Sequence, residues 1–356
     1  MTDNRPWPSL DDYLTALWRP TQSLAGRLGK FVPVRDADDT VQPVPGQSAY
    51  VFYGEIEGEP TVLRCFRRPP APSLRKRYQR LSRYAKDGGC PAFASFRWWD
   101  DGLSAGGQQV PVLSMEDLGG RSLRLHLDEI RTDQERLESL ASGWQALTAE
   151  LSARRLAHGD LQQDNIWIDR DDRLRLVDLD GVWAPPLSDL PPDEYGHENF
   201  QHPQRVSSDC WGEDVDRFSA LVVLVCIRAL IHDPALWDEY HADENLLFRA
   251  DDLARSMATP LWFRLASNRD AQVRDLTAEL HQLCQAAFAT VSPKSVRTVP
   301  TVRTVPAARP QAAPPAPPAP PATAAAAPRR RRRSVLAFAV LAALIGLVVL
   351  LLVATA

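Results

Sequence analysis

Val335 to Ala356 reads VLAFAVLAALIGLVVLLLVATA, twenty-two residues without a charge. A helix rises 1.5 Å per residue, so roughly 20 residues span about 30 Å of hydrocarbon, and residues 335–355 are expected to form a transmembrane helix. Arg329 to Arg333 stand directly before it. Arginine clusters stay on the cytoplasmic side of a bilayer, so the rest of the chain is expected in the cytoplasm, held to the membrane by this single C-terminal pass. A buried core helix rarely has five arginines at its start, and a signal peptide sits at the other terminus.

Residues 292–333 separate that helix from the remainder. Eleven of the thirty prolines fall within 292–328, including PPAPPAPPA. Such a stretch buries too little apolar area to fold and is expected to be a disordered, semi-rigid spacer. It is also where positive charge collects. Lys294, Arg297, Arg303, Arg309 and Arg329 to Arg333 are nine cations, no acid follows residue 293, and removing them from the net −4 leaves −13 on residues 1–293. An acidic globular part lacks the basic face that phosphate neutralisation needs, which argues against nucleic acid as a partner. Cys65, Cys90, Cys210, Cys226 and Cys284 are odd in number and scattered, with no C-x-x-C pair, a pattern of neither a disulfide scaffold nor a zinc site.

The globular part changes character along its length. Ser48 to Tyr53 and Thr61 to Phe66 are β-rich apolar runs around the turn Gly54 to Pro60, which reads as a hairpin. Leu74 to Ala85 is a basic helix candidate. From Thr132 the pattern is helical: Thr132 with Glu135 makes a capping box, and Leu137, Leu140, Trp144, Leu147 and Leu151 recur at three- and four-residue spacing. Ile166–Ile168 and Leu174–Val177 around a polar turn read as a short hairpin, and Leu221 to Ile231 as a buried helix. Trp98, Trp99, Trp144 and Trp183 read as core, and His126, His197 and His281 show no metal spacing.

The chemistry is concentrated in His158-Gly-Asp160-Leu-Gln-Gln-Asp-Asn165 and Leu176-Val-Asp178-Leu-Asp180-Gly181. Phosphoryl transfer needs a carboxylate to orient the attacking hydroxyl and hard oxygens for a divalent cation on the phosphates. Asp160 after a helix, Asn165 five residues on and Asp178 beyond a hairpin supply three such groups.

HGDLQQDN is similar to the catalytic loop H-R-D-L-x-x-x-N of protein kinases, and DLD with Gly181 stands where D-F-G is expected. Asp216-Arg-Phe218 looks like the start of the helix that anchors that loop, and Gly196 to Pro203 resembles the A-P-E region. On these residues the chain resembles the divergent, eukaryotic-like serine/threonine protein kinases of bacteria. The resemblance implies an α+β, two-lobed protein-kinase-like fold: a β-rich N-lobe over about 41–114, a larger helical C-lobe over about 117–290, and residues 1–40 as an N-terminal extension. It implies ATP with Mg²⁺ (or Mn²⁺) as cofactors, Asp160 as catalytic base, and Asn165 and Asp178 as metal ligands. Gly46 would lie in the phosphate loop, Arg64 in the phosphate-binding position, and Glu116 with Met115 at the adenine hinge. His158 would organise the loop. The partner would be a membrane-proximal protein substrate.

The pattern also departs from the family. Arg64 stands where lysine is expected, and guanidinium for ammonium is not conservative there. Leu74 to Ala85 has no acid to pair it, the phosphate loop keeps only Gly46, and Gln162 replaces the usual lysine. Lys30 is the other candidate cation. Gly159 replaces the arginine of H-R-D, which argues against switching by loop phosphorylation. Three readings follow: an active protein kinase, a pseudokinase that binds nucleotide or a partner without transfer, and a small-molecule phosphotransferase of the aminoglycoside type. An acidic side chain from anywhere in the chain reaching Arg64 favours the first.

Overall fold

In a computed structural model of the chain, residues 5–86, 89–208 and 211–288 are described. The spacer and the apolar run 335–356 lie outside them, and among the described residues no helix is long and apolar enough to cross a membrane. The chain divides into two units. Of the second, only Asp36–Thr40 is described, a turn in which the Asp36 N–H donates to Thr40 O at 3.0 Å and Asp36 Oδ1 accepts from the Thr40 N–H at 2.8 Å.

The first unit opens with α1 (Leu10–Trp18), capped by a reciprocal Ser9–Asp12 box, and α2 (Pro20–Ser23). Then come β1 (Phe31–Pro33), β2 (Val44–Pro45), β3 (Ala49–Ile56), β4 (Glu59–Phe66), α3 (Pro72–Lys86), β5 (Phe96–Ala105) and β6 (Gln108–Glu116). The strands form one antiparallel sheet ordered β1-β3-β4-β6-β5, with β2 also on β3. Residues 10–33, set apart in the sequence as an extension, are thus part of this sheet-rich region. Tyr13 and Leu17 of α1 pack with Phe31, Phe52, Leu63, Val110 and Val112, where each fully buried large side chain contributes about 1.5–3 kcal/mol. The Tyr13 hydroxyl and Trp7 Nε1 both donate to Phe66 O at 2.6 Å, tying the N-terminal segment to the end of β4.

The hairpin β3–β4 is longer than its sequence suggests. Its turn is only Glu57-Gly58, both with positive φ, as a two-residue loop between twisted strands requires. Gly54 pairs with Thr61 inside the ladder; a Cβ there would stand 2.5 Å from the Phe31 ring, so this glycine admits β1 rather than marking a turn.

The second, helical part follows: β7 (Arg121–Ser122), α4 (Leu123–Ile130), α5 (Gln134–Ala153), β8 (Ile166–Ile168), β9 (Leu174–Leu176), α6 (Arg217–His232), α7 (Ala235–Tyr240), α8 (Ala250–Ala254), α9 (Pro260–Ala266) and α10 (Ala271–Gln285). The cap of α5 is Asp133, accepting from the Arg136 N–H, one residue beyond the expected Thr132. Leu137, Leu140, Trp144, Leu147 and Leu151 are buried, as their spacing predicts. They face α6, which is buried on almost every side as an all-round apolar helix must be, and Trp144 Nε1 donates to Ala220 O at 2.9 Å. Trp183 is buried too, while Trp98 and Trp99 are half-buried.

Candidate active site

The loop after α5 is held by backbone and side-chain hydrogen bonds on both sides. Ala157 and Trp183 exchange backbone hydrogen bonds at 2.8 and 3.0 Å. Asp216, ahead of α6, accepts the N–H of His158 and, at 2.7 Å, that of Gly159. The buried imidazole of His158 reaches Val177 O through Nε2 at 2.8 Å, joining the loop to the end of β9. Gly159 has φ +83°, and a Cβ there would lie 2.1 Å from Gly181 O. Arginine at this position is therefore excluded sterically.

This scaffold brings Asp160, Asn165, Asp178 and Arg64 together. Asn165 Nδ2 donates to Asp160 Oδ2 at 2.9 Å and to Asp160 O at 3.0 Å. Gln162 Nε2 adds a second bond to that carboxylate at 3.1 Å, and the N–H of His197 supplies a third, to Oδ1 at 2.8 Å. Asp178 adopts a left-handed conformation, φ 57° and ψ 74°, and begins a 3₁₀ turn over Leu179–Gly181. Its side chain is 41% exposed, whereas Asp160 and Asn165 are buried; Asp178 is the open carboxylate of the group.

Arg64, in the middle of β4 and 6% exposed, is fully engaged. Nη1 donates to Asp178 Oδ1 at 2.8 Å and to Asp180 Oδ1 at 3.0 Å; Nη2 donates to Asp180 Oδ2 at 3.0 Å and to Ser48 Oγ at 3.2 Å. The Tyr78 hydroxyl of α3 also donates to Asp180. The missing acid is thus supplied by the D-x-D run, and the fork-to-carboxylate geometry suits arginine rather than lysine. Sequence reasoning assigned no role to Asp180 or Tyr78. The second aspartate of DLD was the visible signal for one; the other had none. Lys30 pairs with Glu57 on an exposed surface instead.

Charge at the site is unbalanced. Burial opposes ionisation of Asp180, but the Arg64 charge and its two bonds hold that carboxyl below the ordinary range. Although one edge of Asp178 stays open, desolvation by the surrounding cluster pushes its carboxyl up to about 6, only partly offset by Arg64 and increased by Asp180 and Asp160. Glu194 is pushed up to about 9, first by burial and then by Asp178, Asp180 and Asp160. Asp160, Asp178, Asp180 and Glu194 crowd together with a single guanidinium, so their carboxyls resist full ionisation together, and this surplus of hard oxygen donors fits a divalent cation. Among the described residues no group of three His, Cys, Asp or Glu is already arranged around a metal position.

Gly46 and Glu116 make their contacts apart from this cluster. Gly46 forms the β2–β3 turn, its N–H donating to Ala49 O at 2.9 Å and its carbonyl accepting from Arg67 at 3.0 Å. Glu116 closes β6 opposite Thr61; Oε2 accepts from the Ser95 N–H at 3.1 Å and from Arg175 Nη2 at 3.0 Å.

No protein-family model and no curated protein matches the chain. Among solved structures it is similar to the PK-1 kinase of Cydia pomonella granulovirus, with 15% identity, 72% of this chain and 89% of that chain covered, and a TM-score of 0.46.

Proposed function

We propose that the chain is an ATP-dependent phosphotransferase acting on serine or threonine hydroxyls of membrane-proximal proteins. The observation that carries this reading is the convergence of Asp160, Asn165 and Asp178 on a loop locked by Asp216 and His158. Asp160 takes the substrate hydroxyl as a hydrogen-bond donor in place of Gln162 Nε2, whose 3.1 Å bond is the longest on that carboxylate, and receives its proton as the oxygen attacks the γ-phosphorus and the bond from that phosphorus to the ADP oxygen breaks, releasing ADP. Asn165 fixes the orientation of Asp160. Arg64 keeps Asp180 ionised and the DLD turn in place. A divalent cation, when bound, would be held by Asn165 and Asp178 and would neutralise charge on the phosphates. Anchoring through residues 335–355 and a cytoplasmic location belong to the same proposal. Protease protection of the C-terminal end in sealed inverted vesicles tests the topology.

A second reading is favoured by one contact: Arg64 Nη1 occupies Asp178 Oδ1 at 2.8 Å. A guanidinium that keeps that oxygen leaves a nucleotide- or partner-binding pseudokinase. Transfer from labelled ATP with Mg²⁺ or Mn²⁺, by the chain and its Asp160→Ala variant, separates the readings. Transfer lost in the variant supports the phosphotransferase; no transfer by the wild type with either metal supports the pseudokinase.

A further inference from the structure

Arg77 of α3 has no exposed surface; its guanidinium lies 5.8 Å from the Trp211 ring, but its hydrogen bonds go to the segment that follows the DLD turn. Nη1 donates to Val182 O at 2.7 Å and Nη2 to Pro191 O at 2.6 Å, so one guanidinium closes the two ends of the excursion 182–191. Nη2 and Nε also reach Asp193 Oδ2 at 3.2 and 3.3 Å, and Ser73 donates to the same carboxylate. One turn on, Arg80 Nη1 donates to Pro186 O at 3.0 Å and Nη2 to Asp189 Oδ2 at 3.1 Å. The match extends to composition. Helix α3 carries Arg75, Lys76, Arg77, Arg80, Arg83 and Lys86 and no acid; residues 182–198 carry Asp189, Asp193, Glu194 and Glu198 and neither lysine nor arginine.

Beyond Asp193 the segment runs directly onto the catalytic loop. Glu194 Oε1 lies 3.0 Å from where a Cβ on Gly181 would stand, a Cβ on Gly196 would stand 2.8 Å from Gly159 O and 3.0 Å from Asp160 Oδ1, and the next N–H, that of His197, is the donor to Asp160 Oδ1. A buried guanidinium whose hydrogen bonds go to this segment has one good arrangement, since release leaves its donors unpaired.

We infer that Arg77 is a positioning residue: it holds residues 182–197 against Asp160 in the unphosphorylated chain, so the sheet-rich part governs the catalytic carboxylate through α3. The functional half of this inference rests on the phosphotransferase reading; the structural half does not.

The test uses the full chain, shown by mass to be unphosphorylated, with Arg77→Lys, which keeps the charge and loses the fork, and the milder Asp193→Asn. Amide hydrogen exchange across 183–197 is expected to be protected in the wild type and at least about tenfold faster in Arg77→Lys, with α6 unchanged. The phosphate-transfer kcat is expected to fall in parallel while the KM for ATP stays constant. Exchange unchanged in both variants, or a wild-type segment already exchanging freely, overturns the inference. Loosening with kcat unchanged overturns its functional half. A protected segment in a wild type that transfers no phosphate supports the positioning and sinks the phosphotransferase reading alone.

Discussion

Replacing Arg64 by methionine removes the cation from the centre of the site and leaves its aliphatic volume largely filled. Asp180, 8% exposed, then keeps the Tyr78 hydroxyl but loses both Arg64 bonds, and Asp178 loses its bond as well. Breaking a buried ion pair by deleting one partner costs about 3–5 kcal/mol, and about 2–4 °C in melting temperature accompanies each kcal/mol in a chain of this size class, so a fall of about 10 °C is expected at pH 7.5. The pH dependence carries a definite sign. In the wild type the depressed Asp180 pKa contributes stability that is present above the unfolded carboxylate value and lost as pH falls through the lower folded value. Without Arg64 the crowded carboxyls have folded pKa values raised above the unfolded ones, so the variant loses stability as pH rises. The deficit should therefore widen from pH 5 to pH 8. Asp180→Asn should cost less, about 1–3 kcal/mol, because Asp178 still pairs with Arg64. Urea denaturation of the detergent-solubilised chain, followed by tryptophan fluorescence, measures all three. An equal deficit at pH 5 and pH 8, or Asp180→Asn as damaging as Arg64→Met, would refute the reasoning.

Gly159→Ala should destabilise by about 2 kcal/mol or more, because φ is +83° and the added methyl meets Gly181 O; an unchanged unfolding midpoint would contradict this. Asp216→Ala strands two buried amides and should cost about 2–4 kcal/mol while abolishing transfer, so retained activity at retained stability would count against Asp216 as the anchor of the loop. His126 is held neutral by burial and by the neighbouring Arg136 and Arg121, its pKa lowered to about 4. Its proton is bound in the unfolded chain first, so wild-type stability should fall by about 2–4 kcal/mol more than that of His126→Gln as pH drops from 7 to 4; parallel pH profiles would exclude it.

What could be read from the sequence was what a contiguous run encodes. The three- and four-residue spacing from Leu137 to Leu151 reports one buried helix face directly, and the polar loop His158 to Asn165 stood out because its groups lie within eight residues. Asp216 was found for the same reason, since its role is written in the apolar helix it begins. The Arg64–Asp180 pair was not, because the partners are 116 positions apart and nothing local around Arg64 marks the acid it meets. Gly54 misled for a subtler reason: a strand glycine that admits a neighbouring ring looks, one-dimensionally, like a turn. The first turn of α1 did carry a signal, the Ser9–Asp12 box, but its partners in β4 and β6 come from far downstream.

The two hydrophobic clusters give the chain an order of assembly. One, running from Tyr13 to Val112, draws every member from the first third of the sequence, whereas the other gathers residues from Ala49 to Phe288. During synthesis the first can close once residue 112 has left the ribosome, before α5 has emerged. The opposite face of the same sheet, with Ala49, Phe66 and Leu113, belongs to the second cluster and must wait. The nascent chain therefore presents a half-finished sheet, sealed by α1 on one side and open on the other, and the helical part completes itself on that surface.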